Sequence, residues 1–158
     1  MVEMNSCEIC PLVQAQRAED DEVLLQTDRW AAVLDRNQTY LGKSFVTLRE
    51  HKETLSDLDG VDWNELHEVI RKLEYATKRA FGASVLNWEC LMNNAILAEQ
   101  PTHIHWHLYP RYLGGVVFEG EEFPDEKWPR HIEGGKHLVN DELFSKISQK
   151  LKEEIYGN

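Results

Sequence analysis

At 158 residues, 42% hydrophobic and 28% charged, the chain has the length of a single domain and the composition of a globular protein able to bury a core. Its formal net charge of −11 argues against a general nucleic-acid or anionic-membrane surface, because phosphate backbones are held largely by Lys and Arg. A small phosphorylated ligand needs only one local pocket and stays allowed.

No apolar run approaches the roughly 18 residues of a membrane span, and Met1-Val2-Glu3-Met4-Asn5 has no signal-peptide pattern, so a cytoplasmic location is expected. The three cysteines, Cys7, Cys10 and Cys90, are too few and odd in number for a disulfide framework. Cys7-Glu8-Ile9-Cys10 reads as half a metal site, since a redox dithiol would want a strand before it and a long helix after it.

Pro11 to Asp20 predicts a short helix, and the acidic run Glu19-Asp20-Asp21-Glu22 a solvated turn. Val23-Leu24-Leu25-Gln26 and Trp30-Ala31-Ala32-Val33-Leu34 predict a hairpin turning at Thr27-Asp28-Arg29, with Asp35 closing its second strand. After the loop Arg36 to Lys43, Ser44 to Leu48 predicts a third strand, with Arg49-Glu50-His51 following directly. From Asp62 to Phe81, Leu66, Val69, Ile70, Leu73, Ala76, Thr77 and Ala80 recur on one helical face. Asp62 with Glu65 resembles a capping box, Gly82 suits the C′ position, and His67 is expected at the surface or boundary. Val85 to Met92 predicts a fourth strand.

The densest chemistry follows in Gln100-Pro101-Thr102-His103-Ile104-His105-Trp106-His107-Leu108-Tyr109-Pro110-Arg111. Alternation is a strand pattern: His103, His105 and His107 share one face, and Ile104, Trp106 and Leu108 the other. In a helix these histidines would diverge by about 200° per step of two. As a strand they stand roughly 7 Å apart and can line a site while the apolar face enters the core. Beyond them, Val116-Val117-Phe118 is a short apolar run, and Glu119 to Gly135 reads as a long loop or flap. Its Trp128, Arg130 and His131 are candidates either to close over a ligand or to pack at the surface. Asp141 is placed to cap a last helix striped by Leu143, Phe144, Ile147, Leu151 and Ile155. The pattern as a whole predicts an α+β class with a mainly antiparallel sheet.

His103-Ile104-His105-Trp106-His107-Leu108-Tyr109 resembles the His-φ-His-φ-His-φ-φ signature of the histidine triad (HIT) superfamily. Cys7-x-x-Cys10 is similar to its zinc-binding members, and Asp35 stands at the end-of-strand position used for the nucleotide ribose. Leu41-Gly42 to His51 resembles the family's Gly-His … Pro-Lys-x-His segment, and Asn93 and Gln100 keep its separation of seven. The resemblance covers roughly residues 7–111, leaving a C-terminal flap and helix at 112–158 within one domain over 1–158. It implies a five-stranded antiparallel sheet with one long helix, a homodimer, and nucleotidyl hydrolase or transferase activity at a nucleotide's α-phosphate. Carried over, His105 is the nucleophile, forming a nucleotidyl-imidazole intermediate, and His107 supports it. Asn93 and Gln100 bind phosphate oxygens or help protonate the leaving group. Cys7, Cys10, His51 and His103 hold a structural zinc.

The chemistry agrees: an imidazole attacks through one nitrogen when the other is tied to an acceptor, here His107 or a backbone carbonyl. Two thiolates and two imidazoles make a closed zinc shell with no open position for water.

Three positions depart from the family pattern. Lys43 replaces a further histidine and is expected to contact phosphate. Either Glu99 or Gln100 takes the glutamine position, because only Pro101 and Thr102 precede His103. Asn93-Asn94-Ala95 stands for the usual Asn-x-Gly. Two other readings compete: a metal-dependent hydrolase using all three histidines as ligands, and a nucleotide-binding or scaffolding protein with little turnover.

Overall fold

In a computed structural model describing residues 7–14, 21–130 and 134–157, the first hairpin forms where its sequence predicts it. Strands β1 (Val23–Gln26) and β2 (Trp30–Leu34) turn at Thr27, whose hydroxyl accepts from the N–H groups of Trp30 (2.9 Å) and Arg29 (3.3 Å), a local bond that competes with extended structure. Strand β3 (Ser44–Leu48) pairs with β2 along its length, from Trp30↔Leu48 to Leu34↔Ser44. Strands β4 (Val85–Glu89) and β5 (His105–Arg111) complete a five-stranded antiparallel sheet ordered β1-β2-β3-β5-β4.

Register sorts the side chains onto two faces. Trp30, Ala32, Leu34, Val46, Leu48, Ile104 and Leu108 belong to the buried core, with Trp106, Leu86 and Trp88 packed partly buried against it. The long helix α2 (Gly60–Phe81) and the C-terminal helix α4 (Asp141–Tyr156) cover this face and pack on each other. The core continues through Leu66, Val69 and Leu73 of α2 and Phe144, Ile147 and Leu151 of α4, while Leu143 and Ile155 are partly buried. The opposite face presents Phe45, Thr47, His105 and His107 in paired register. Helix α1 (Ile9–Gln14) lies beside β3.

Several boundaries differ from expectation. Helix α1 starts at Ile9, not Pro11; Pro11 is tolerated because first-turn N–H groups have no intrahelical partner. The remainder of that expected helix, 15–20, lies outside the described residues. The cap of α2 sits one turn earlier than Asp62: Asp59 accepts from Val61 and Asp62 N–H groups, and Asp62 accepts from the Asp59 N–H in a reciprocal box. Gly82 ends the helix at φ 73°, as expected of a C′ glycine. Strand β4 stops at Glu89 rather than Met92, and a short helix α3 (Asn93–Leu97) follows. Asn140, not Asp141, caps α4, accepting from the Leu143 N–H at 2.8 Å. His67 is exposed, as expected.

The expected flap contains a hairpin, β6 (Val116–Phe118) and β7 (Glu121–Phe123). Its two-residue loop, Glu119 (φ 52°) and Gly120 (φ 82°), has the positive φ pair of a I′ turn, where Asn or Asp is usual at the first position. The hairpin is moored by Arg111, whose guanidinium makes two 2.7 Å bonds to Asp125, both side chains at most 3% exposed. Asp125 also accepts from the Tyr112 N–H at 3.1 Å. Trp128 stacks on the same guanidinium at 5.7 Å, and the Arg130 carbonyl accepts from it at 3.0 Å. The contacts of Trp128 and Arg130 therefore go to a mooring rather than over the histidines; His131 lies outside the described residues. Among the described residues no helix is long and apolar enough to cross a membrane.

Candidate active site and metal centre

The three histidines are inequivalent. His103 precedes β5, is 2% exposed, and donates from Nε2 to the Leu48 carbonyl at 2.6 Å. That bond leaves Nδ1 as a lone-pair donor. Nδ1 lies 3.4 Å from Cys7 Sγ, 3.6 Å from Cys10 Sγ and 3.2 Å from His51 Nδ1; Cys10 Sγ and His51 Nδ1 are 3.4 Å apart. All four ligand atoms fall within 4.8 Å of one another.

Tetrahedral zinc with ordinary bond lengths requires edges of about 3.6 Å for S–N and about 3.3 Å for N–N. The donor set fits that ion. Burial, then the neighbouring Cys7, pushes the Cys10 thiol up to about 11; a cation between the sulfurs would reverse this. Burial likewise lowers His103, keeping its lone pair available. Helix α1 brings Cys10 to β3, and His51 follows β3 by three residues.

His105 uses the opposite nitrogen. Its Nδ1–H donates to the His103 carbonyl at 2.7 Å, so Nε2 carries the free lone pair. A backbone carbonyl, not His107, fixes the tautomer. His107 meets His105 edge-on, with ring centroids 4.8 Å apart, and stacks on Tyr109 at 5.8 Å. Burial, His105 and Lys43 bring His107 down to about 4 against the opposing pull of Asp35, so it is neutral at pH 7. Its Nδ1 is buried with no hydrogen-bond partner among the described residues.

On the His107 flank, Lys43 Nζ pairs with Asp35 Oδ2 at 2.8 Å and lies 5.7 Å from the Tyr109 ring centroid. Asp35 Oδ1 accepts from the Asn37 N–H at 2.8 Å. Fully buried Gln38 staples this loop, donating to the carbonyls of Asp35 (2.6 Å) and Lys43 (2.9 Å) and accepting from the Gly42 N–H (2.8 Å). Gly42 has φ 82°, and a Cβ there would press the Phe81 ring at 3.3 Å, so the loop needs a glycine.

On the His103 flank is a cavity of about 200 Å³ with Gln100, Asn94, Glu8 and His105 in its wall. The orientation of Gln100 comes from a Schellman closure of α3: the Gln100 N–H reaches the Ala95 carbonyl and the Glu99 N–H the Ile96 carbonyl. Glu99, at φ 54°, occupies the left-handed position, a cost of about 1 kcal/mol for a non-glycine. It is exposed, while Gln100 faces the cavity and donates to Glu8 Oε1 at 2.9 Å. Asn93 begins α3 and is exposed, and its neighbour Asn94 is among the residues lining the cavity. Helix formation at Asn93-Asn94-Ala95, in place of a glycine bend, turns successive side chains about 100° apart.

A family model described as the HIT domain matches residues 16–114. The chain belongs to the HIT family. No curated protein sequence matches this HIT chain significantly. Among solved structures it resembles a hypothetical histidine triad nucleotide-binding protein from Sulfolobus tokodaii strain7, at TM-score 0.67 and 21% identity over 94% of this chain and 91% of that one. A zinc-bound histidine triad family protein from Mycobacterium smegmatis matches at 0.64 and 17% identity, over 96% and 94%. Diadenosine triphosphate hydrolase of Plasmodium falciparum matches at 0.60 and 14% identity, over 86% and 77%. At these identities the likeness establishes the HIT fold.

Three site residues escape a reading of the sequence. Tyr109 was within reach, since alternation from His107 puts it on the same face. Glu8 lies inside the Cys-x-x-Cys spacing, yet nothing local tells where it points. Gln38 gives no signal at all, because its partners are backbone groups of a folded loop.

Proposed function

We propose that this HIT protein is a nucleotidyl hydrolase or transferase acting at the α-phosphate of a nucleotide, with His105 Nε2 as nucleophile. The observation that carries the reading is the His105 Nδ1–H bond to the His103 carbonyl, which leaves one nitrogen free to attack. His107, neutral and edge-on to it, borders the phosphate site. Asp35 and Lys43 take the ribose and phosphate side, and Gln100 and Asn94 supply amide groups across the cavity. The nucleotide-binding, hydrolase and zinc-bound relatives of the same fold support this reading.

Cys7, Cys10, His51 and His103 are the residues that would hold zinc, as a closed structural shell. His105 and His107 are not in that cluster among the described residues, which disfavours a metal bound by all three histidines. Residues 112–130 and 134–157 join the same unit through Arg111, and a homodimer would form through the outer edge of β4, where Val85 is 41% exposed and Leu91, just beyond the strand, 43%. Sedimentation equilibrium at micromolar concentration should return twice 18.4 kDa; a mass of one chain sinks the dimer.

The central test is His105→Ala. It should lower turnover of adenylyl substrates by roughly 10³-fold or more and remove the covalent nucleotidyl adduct, while zinc stays near one per chain. Loss of the metal in this variant would instead support the three-histidine site. Wild-type protein that binds AMP yet turns over no phosphoramidate, dinucleotide or nucleotidyl-sugar substrate would leave a binding protein.

A further inference from the structure

The cavity beside His105 has an acidic wall that the triad chemistry does not call for. Glu8 sits between the two thiols of the Cys-x-x-Cys pair and accepts from Gln100 Nε2 at 2.9 Å. Its neighbour Cys7 lies 3.4 Å from His103, two residues before the nucleophile on the same chain. The metal cluster thus fixes where this carboxylate stands. No lysine or arginine lines the cavity among the described residues.

The site is polar in a directional sense. Asp35, Lys43 and Tyr109 gather on the His107 side of His105, whereas Glu8 and Gln100 gather on the His103 side. In-line displacement puts the leaving group opposite His105 Nε2, and with the ribose on the Asp35 side the cavity lined by Glu8 and Gln100 is the space left to receive it.

We propose that Glu8 is a specificity-determining residue: its carboxylate, held by Gln100 beside His105, selects substrates whose leaving group is an amine over those whose leaving group is a phosphate chain. The proposal rests on the reading of His105 given above. A phosphate chain would bring further negative charge against Glu8 into a wall with no cation among its described residues to receive it; Glu8 is exposed, so the repulsion is moderate and weakens with added salt. An amine leaving group meets the opposite situation. The His105 Nε2 lone pair forms the bond to phosphorus, the bond from phosphorus to the leaving nitrogen breaks, and that electron pair stays on the nitrogen. Solvent protons complete the amine, which departs as an ammonium ion past the Glu8 carboxylate. Water then attacks phosphorus, breaks its bond to His105 and releases the nucleoside monophosphate.

The test compares two substrates sharing one adenylyl group, an adenosine 5′-alkylphosphoramidate and diadenosine triphosphate, in wild type, Glu8→Gln and Glu8→Lys. Glu8→Gln keeps the shape and the bond to Gln100 while removing the charge. Wild type should favour the phosphoramidate in kcat/KM. The preference should shrink about ten-fold in Glu8→Gln and further in Glu8→Lys, with zinc content unchanged in Glu8→Gln. A wild-type preference for diadenosine triphosphate, or a ratio unmoved in Glu8→Gln while both substrates turn over, overturns the role of Glu8 and leaves the His105 reading standing. Binding asks nothing of catalysis: ATP should bind wild type at least ten-fold more weakly than AMP, with the gap narrowing in Glu8→Gln. Equal affinity for the two would overturn the proposal even in a protein without turnover.

Discussion

Asp62 shows how much one side chain can organise. Its carboxylate, 1% exposed, receives Arg29 Nη1 at 2.7 Å, Lys52 Nζ at 2.9 Å and the Asp59 N–H at 2.9 Å. Burial alone would raise its pKa; the bonds from Lys52, Arg29 and Asp59 outweigh burial and bring it from 3.8 to about 2. Because the folded value lies below the unfolded one, this stabilisation is complete above about pH 4 and is lost as pH falls through about 2. A shift of this size corresponds to about 2 kcal/mol. Urea unfolding of wild type should weaken more steeply between pH 4 and 2 than that of Asp62→Asn; parallel curves would sink the assignment. At this scale the sequence was partly legible. The cysteines and histidines announced themselves by residue type and spacing, and alternation separated the two faces of β5. Asp62 was legible as a capping residue but not as a partner of Lys52 and Arg29, since neither contact is local in the chain.

Elements repeat that division. The strands of the main sheet and the body of α2 follow from periodicity, because burial of one face dominates their energetics. Ends and turns went unread where an unusual residue takes a special role, as Glu119 does in the β6–β7 loop and Glu99 at the end of α3. The mooring of β6 and β7 on β5 depends on Arg111 and Asp125, fourteen residues apart, and no sequence period reports it. Asp125→Ala should leave a buried guanidinium without its carboxylate and cost about 3–5 kcal/mol. Replacing both partners by apolar residues should recover part of that loss. Denaturant midpoints would measure both, and a loss below about 1 kcal/mol for the single variant would mean that the pair is no anchor.

For the whole molecule, the Cys7, Cys10, His51 and His103 cluster joins an N-terminal helix, the end of β3 and the start of β5. A metal held there at a free concentration 100 times its Kd adds about 2.7 kcal/mol, and at about 2–4 °C per kcal/mol for a chain of this size the Tm should fall by roughly 5–10 °C on its removal. Scanning calorimetry before and after stripping with a strong chelator, with zinc restoring the loss, tests this. An unchanged Tm in protein proved free of metal would contradict a stabilising role. The same cluster was readable as a ligand set only through family resemblance, since a Cys-x-x-Cys pair alone leaves its remaining partners open.

Synthesis gives the cluster's spacing a further meaning. The two thiols leave the ribosome before their partners, which lie 41 and 93 residues beyond Cys10. Until His103 emerges, the nascent chain offers thiols and one imidazole with no closed shell around them. Two residues later comes His105. Completion of this Cys and His cluster and arrival of His105 therefore fall at nearly the same moment of translation, and a chain truncated before that point has neither.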